Sequence, residues 1–187
     1  MKSLIASYQA ALCEQLTLLD TDTIERLAQH LLDCCMNKKN VYICGNGGSA
    51  GNAIHLANDY LYGIDPTGNH SLNVEALPAN SSVLTCLGND IGYERIFSHQ
   101  LTVKAKPDDV LIVLSGSGNS NNIIQALKQA KEIGMISYAI LGYSGGKAKT
   151  LADHSIHNDI TDMQISEDLQ LIVGHMLMQY MAKELAA

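Results

Sequence analysis

Two stretches of the chain place glycine beside small polar side chains directly after an apolar run. The first, CGNGGSAGN (44–52), carries Gly45, Asn46, Gly47, Gly48 and Ser49; the second, SGSGNSNN (115–122), carries Ser115, Gly116, Ser117 and Ser120. Each opens a helical pattern. Glycine lets the backbone approach an anion closely and take positive φ, while a helix N-terminus offers free N–H groups and partial positive charge. In parallel α/β proteins, ligands bind at the carboxyl ends of the strands, where both loops would lie. The formal net charge is −7, and the only arginines are Arg26 and Arg95. An anion bound here is therefore held by N–H groups, hydroxyls and helix dipoles. The same charge balance excludes a nucleic-acid backbone as partner, since that needs clustered cations.

Titratable groups sit on two further helical patterns. HLAND sets His55 and Asp59 at i, i+4, on one face of the helix that follows the first loop. EDLQLIVGH sets Glu167 and His175 eight residues apart, about 80° around a helix axis. A histidine in so apolar a helix is also explained by burial alone. If the two helices meet, two imidazoles and two carboxylates form an acceptable Zn²⁺ set. The first loop also fits a dinucleotide fingerprint, G-x-G-x-x-A, at Gly45, Gly47 and Ala50. That reading needs an acid ending the second strand. Asp65 falls in a loop before that strand and Glu75 falls inside it, and the second serine loop is superfluous for a dinucleotide. A small phosphorylated ligand fits better.

The elements that must position these groups follow from periodicity. Apolar residues recur at helical spacing over 3–19, and a second helix starts at DTIE, with Asp22 as cap and Glu25 three residues later. Strands are expected at 41–44, 71–77, 109–115, 136–142 and 154–160, with helices at 49–62, 79–87, 93–105, 120–133 and 146–152 between them. Runs such as VLIVL are apolar without alternation, as expected of strands covered on both faces. The pattern predicts an α/β fold: a three-layer sandwich around a mostly parallel five-stranded sheet, with an N-terminal helical pair and a long C-terminal helix. The last helix, 166–185, is apolar nearly all round, so a second subunit or a central core position must cover it. The 187 residues suit one domain, with 1–38 as oligomer-packing helices and 39–187 as the ligand-binding core. Five cysteines, Cys13, Cys34, Cys35, Cys44 and Cys86, form no CxxC pair and read as small buried hydrophobes in a reducing compartment. No signal-peptide core and no window near the ~20 apolar residues of a membrane span occur, so a cytoplasmic protein without membrane partners is expected.

CGNGGSAGNAIH, CLGNDIGYERIFSHQL and DVLIVLSGSGNSNNIIQALKQAKEIGM, in this order and spacing, resemble the sugar isomerase (SIS) domain from about residue 20 onward. Within it they are similar to the phosphoheptose isomerases, which interconvert sedoheptulose 7-phosphate and D-glycero-D-manno-heptose 7-phosphate. The resemblance implies a SIS-type fold, a homotetramer with active sites shared between subunits, and a role in lipopolysaccharide precursor synthesis. It implies phosphate binding by Ser115, Gly116, Ser117 and Ser120, with Gly116 standing where a threonine is common. Sugar contacts are implied for Asn46, Gly47, Gly48, Ser49, Asn89, Asp90 and Glu167. The implied catalytic pair is Asp59 and His175, and the implied zinc ligands are His55, Asp59, Glu167 and His175. Three further positions depart from the family pattern: Asp59 stands for a glutamate, Glu167 for a glutamine and Gly63 for an arginine. SIS relatives also include sugar-phosphate sensors and a replication-initiator-binding protein, so a non-catalytic binding module is the alternative expectation.

Overall fold

A computed structural model describes residues 1–186. Two helices, α1 (Lys2–Thr17) and α2 (Thr21–Asn37), precede β1 (Asn40–Gly45). The chain then runs through α3 (Gly48–Asn58), a π-helical turn (Asp59–Gly63), β2 (Asn73–Ala76), α4 (Ser81–Asp90) and a 3₁₀ turn (Tyr93–Arg95). It continues as α5 (Ser98–Lys104), β3 (Val110–Ser115), α6 (Asn121–Ile133) and β4 (Ile136–Leu141), and closes with α7 (Ala148–Leu151), β5 (His154–His157) and α8 (Met163–Leu185). The sheet has the order β2-β1-β3-β4-β5 and every pair is parallel, so the expected α/β sandwich holds in all-parallel form.

The strands are apolar throughout because each feeds two cores. Val41 and Ile43 of β1, with Val110, Ile112 and Leu114 of β3, face α2, α3 and α8. Tyr42 and Cys44, with Leu111 and Val113, face α5 and α6 on the other side. Two carboxylates, one buried and one exposed, fasten the strand starts. Asp109, 1% exposed, accepts hydrogen bonds from the backbone N–H of Asn40 and of Lys106 and from the Asn40 amide, tying β1 to β3. Asp153 does the same between β5 and β4 by accepting from the N–H and hydroxyl of Ser137.

Some boundaries differ from expectation, for local reasons. The cap of α2 is Asp20 rather than Asp22: its carboxylate accepts from the N–H of Thr23 at 3.0 Å and from the Thr23 hydroxyl at 2.8 Å. The helix expected over 93–105 is split into a 3₁₀ turn and α5. β2 and β5 are each four residues long, and α8 starts at Met163 because Asp162 caps it through the N–H of Ile165. Ile165, Leu169, Val173, Leu177 and Met181 of α8 are buried at a four-residue repeat, whereas Met176 is 45% exposed. In the single chain, then, α8 covers one face and leaves apolar surface on another.

Of the cysteines, Cys34 and Cys44 are the buried hydrophobes expected, but Cys13 and Cys86 are exposed. Burial pushes the Cys34 thiol up to about 12 and raises that of Cys44 as well. A thiol-specific reagent at neutral pH should label Cys13 and Cys86 in the native protein, and Cys34 and Cys44 only after unfolding. Equal labelling rates for all five would contradict this core.

Candidate active site

The carboxyl ends of β1 and β3 lie side by side, with Gly45 paired to Leu114, and strand order reverses here. Both glycine–serine loops leave the sheet at this point. In the first, Gly45 has no room for a side chain, since a Cβ would lie 2.7 Å from the Ser49 carbonyl oxygen. Gly47 takes φ +55°, a turn that L side chains rarely adopt. In the second, the N–H of Gly118 donates to the Ser115 hydroxyl at 3.1 Å and that of Asn119 donates to the Ser117 hydroxyl at 3.3 Å. Gly118 in turn lies against the Gly145 carbonyl, where a Cβ would meet it at 2.0 Å.

Between the loops lies a cleft of about 280 Å³. Asn46, Gly47, Gly48, Ser49, Ser115, Gly116, Ser117 and Ser120 all line it, together with Glu167. The described lining holds no lysine or arginine. Its donors are hydroxyls and the free N–H groups at the starts of α3 and α6. Met163 completes the wall. Its sulfur would lie 2.7 Å from a Cβ at position 116, so the thioether occupies the space a side chain there would need.

From the cleft, α3 and the π-turn run alongside α8. Gly48, Asn52, His55, Asp59 and Gly63 recur at spacings of four, three, four and four, which keeps them on one stripe. They meet Glu167, Gln170, His175 and Met178 of α8 in the same order, so the two helices lie parallel. Asn52 donates to the Glu167 carbonyl and to Gln170 Oε1, both at 3.0 Å, and the buried Gln170 donates to the Ser49 hydroxyl at 3.1 Å. One helical turn further on, Nε2 of His55 lies 2.9 Å from Nε2 of His175, and Asp59 Oδ2 lies 3.3 and 3.4 Å from these two nitrogens. Tetrahedral zinc bound at ~2.0–2.1 Å separates its ligand atoms by about 3.3 Å. The three donors thus already stand at metal-ligand spacing, and both imidazoles remain about half exposed.

Gly174 allows this approach. A Cβ there would lie 2.3 Å from Leu56 Cδ2 and 2.7 Å from its Cδ1, and Leu56 is fully buried. The Tyr60 hydroxyl, also buried, donates to the Gly174 carbonyl at 3.2 Å and ties the π-turn to α8.

Glu167 does not join the His55–Asp59–His175 group. Its carboxylate lies over Gly48, where a Cβ would come within 2.3 Å of Oε2. Eight residues of helix separate it from His175, about 12 Å along the axis. Asn89 and Asp90 also stand outside the cleft lining; they sit at the exposed end of α4, with the Asn89 amide donating to Asp90 at 2.8 Å. Asp65 binds Thr67 and His70 in its own loop and Glu75 pairs with Lys104, so neither is free to take a ribose. Sequence reasoning missed the residues that brace the cleft: Asn52, Gln170, Asn122, Tyr93 and Met163. Asn122 lies within the second loop motif and Gln170 lies three residues after Glu167, so spacing could have flagged both.

The site and sheet define a doubly wound α/β protein whose switch-point loops are built for a small anionic ligand and whose third and last long helices bring together two histidines and a carboxylate. Residues 6–142 match the SIS domain family. A phosphoheptose isomerase of Aneurinibacillus thermoaerophilus is 36% identical over 156 residues, covering 82% of this chain and 77% of that protein. The solved structure of phosphoheptose isomerase GmhA from Neisseria gonorrhoeae is 28% identical with a TM-score of 0.89, covering 97% of this chain and 98% of that one. A phosphoheptose isomerase from Francisella tularensis superposes with a TM-score of 0.90 at 25% identity, over 97% and 96% of the two chains. The chain belongs to the SIS domain family, among its phosphoheptose isomerases.

Replacing Gly174 with alanine tests the helix contact. The added methyl overpacks a buried leucine and should destabilise the fold by about 1–3 kcal/mol. Titrated Zn²⁺, which the spacing of the three donors would admit, should also bind more weakly than to wild type, read by calorimetry. Unchanged stability and metal affinity would mean that the two helices do not need this approach.

Proposed function

We propose that the protein interconverts sedoheptulose 7-phosphate and D-glycero-D-manno-heptose 7-phosphate, an aldose–ketose isomerisation through an enediol. One observation carries this reading: Asp59 and His175 meet at one end of a stripe whose other end is a serine-lined anion cleft. From Gly48 to His55 the stripe rises about 10 Å, a span that suits an extended carbon chain ending in a phosphate.

Ser115, Ser117 and Ser120, with the N–H groups beside Gly116, would hold the phosphate. Asn46, Gly47, Gly48, Ser49 and Glu167 would contact the sugar hydroxyls. Asn89 and Asp90, which precede Tyr93 with its hydroxyl on Asn46, would contact the sugar from outside the cleft lining. The reaction moves one proton between C1 and C2 and needs a proton acceptor on carbon with a donor at oxygen. Asp59 would exchange the carbon-bound proton, and His175 would exchange protons with the two oxygens. Asp59 Oδ2 faces both imidazoles, whereas Oδ1 accepts from the Asn58 amide at 3.3 Å and would use its second lone pair for proton exchange.

His55, Asp59 and His175 would also hold Zn²⁺, and their spacing fits that ion. A bound zinc would supply Lewis-acid polarisation of a substrate oxygen. Glu167 remains in this reading as a sugar contact, since its carboxylate lies over Gly48 and away from the three donors.

The site is half open in one chain, which supports a homotetramer with shared sites. Leu61, Tyr62 and Met176, close to the histidines in sequence, are exposed, and α1, α2 and α8 frame an apolar groove of about 490 Å³. Residues 1–38 supply most of that groove's lining, and packing it against a second copy is the role we assign to them, with 39–187 as the sugar-phosphate core. Among the described residues no helix is long and apolar enough to cross a membrane. Free thiols at Cys13 and Cys86 support a cytoplasmic setting, and supply of heptose for lipopolysaccharide would be the pathway role.

Purified, zinc-loaded protein should convert sedoheptulose 7-phosphate to the aldose, detected by mass spectrometry after borodeuteride reduction. Asp59→Asn and His175→Ala should each lower kcat by about 10²–10⁴-fold, with Asp59→Asn leaving substrate affinity within a few-fold. Absence of turnover with heptose, hexose and pentose phosphates alike would overturn the assignment.

A further inference from the structure

Asn46 lines both the anion cleft and an adjoining cavity of about 500 Å³ that Tyr93, Glu94, Ser120 and Asn121 also line. Its side-chain amide therefore stands between two spaces. What it can offer a ligand depends on which of its hydrogen-bonding groups are already engaged.

The engagement can be traced from one backbone group. Asn122, in the first turn of α6, is 2% exposed. The N–H of Ile123, which can only donate, lies 3.0 Å from Asn122 Oδ1 and fixes that atom as the acceptor. Asn122 Nδ2 is then directed at Asn46, donating to its Oδ1 at 2.8 Å, while Asn46 Nδ2 donates back to Asn122 Oδ1 at 2.9 Å. The two amides form a closed reciprocal pair. The Tyr93 hydroxyl lies 3.0 Å from the same Asn46 oxygen, and against an acceptor it must donate. Both lone pairs of Asn46 Oδ1 are now used, as is one of the two amide hydrogens. Turning the Asn46 amide over would set its NH₂ against the NH₂ of Asn122, so the orientation is locked.

We propose that Asn122 is a positioning residue, assisted by Tyr93, that holds Asn46 so that its one free group is an N–H donor. Asn46 accordingly recognises an acceptor on the ligand: a carbonyl oxygen, a hydroxyl lone pair or a phosphate oxygen. A ligand presenting only an N–H donor at that point, as an amino sugar would, is disfavoured. This deepens the sugar-phosphate reading and rests on it.

The test combines variants of similar shape with a double-mutant cycle. Asn122→Asp keeps the acceptor for Ile123 and Asn46 but cannot donate to Asn46 Oδ1. Tyr93→Phe removes one hydroxyl from a side chain that is 61% exposed, so it should fold normally. Asn122→Asp and Asn122→Ala should raise KM for sedoheptulose 7-phosphate about 10-fold or more, and Tyr93→Phe about 2–5-fold, the range of one or two hydrogen bonds. kcat should stay within about 3-fold, because neither side chain approaches the His55–Asp59–His175 group. In an Asn46→Ala background the Asn122 substitutions should have no further effect on KM. A KM effect of Asn122→Ala that persists in that background, or wild-type KM in both Asn122→Asp and Tyr93→Phe, would overturn the proposal. Calorimetric binding of sedoheptulose 7-phosphate is read in parallel, so ligand bound without product would refute the isomerase reading while the cycle still reports on Asn122.

Discussion

The site depends on how closely α3 and α8 approach each other at Gly174. A side chain there would stand within 3 Å of a fully buried leucine, so this contact fixes the helix separation more tightly than the surrounding packing does. The hydrogen bonds from Ser49 through Gln170 and Asn52, and the His55–Asp59–His175 group, are all consequences of that separation. The π-turn serves the same constraint. In an α-helix each four-residue step drifts about 40° around the axis, which would carry Gly63 away from α8. The Ile64 N–H bonds back to the Asp59 carbonyl five residues earlier, winding this segment less tightly and reversing the drift. Gly63 consequently still packs on Met178, beyond Asp59, which the regular helix already sets against His175.

Electrostatics give the cleft a direction. The protein is acidic and its cleft lacks cations in the described lining, so affinity for an anion would have to come from helix N-termini and hydroxyls at the switch point. On one side the Glu167 carboxylate lies over Gly48, near the start of α3. That position is favourable for Glu167 itself, because the helix N-terminus is electropositive. It also makes the Glu167 side repel a phosphate and attract hydroxyl donors, leaving the serine loop as the anion end. The cleft is thus polar at both ends but of opposite preference.

Much of this was legible in the sequence, in proportion to how local the cause was. Strands covered on both faces are written as unbroken apolar runs, and VYIC and VLIVL identify β1 and β3 without ambiguity. Loop position was equally local, since glycine- and serine-rich turns placed directly after VYIC and VLIVL leave the sheet at the strands' carboxyl ends. What resisted reading was any feature set by a partner far along the chain. Asp20 and Asp22 are equivalent as caps until Thr23 selects one by geometry. Glu167 sits on the correct helix, yet the 12 Å rise to His175 matters only once α3 shows where each must point. Cys13 and Cys86 fall on regular helices, but whether a neighbour covers those faces is not encoded in their own periodicity.

The two ends of the stripe differ in how firmly they are held, and that difference has consequences for function. At the loop end nearly every polar group is engaged by a buried partner: Ser49 by Gln170, Asn46 by Asn122 and Ser115 by the Gly118 N–H. Such networks hold their geometry because releasing any member strands a buried donor or acceptor. At the other end, His55 and His175 lean on each other and on Asp59 with half their surface in water. Positioning is therefore concentrated where a ligand would be recognised, and the chemistry-bearing groups are fixed by only one helix contact and each other. Proton transfer tolerates little misplacement, so the open end gains most from whatever covers it. The apolar surface left on α8 by Met176 adjoins that end and is positioned to receive such a cover.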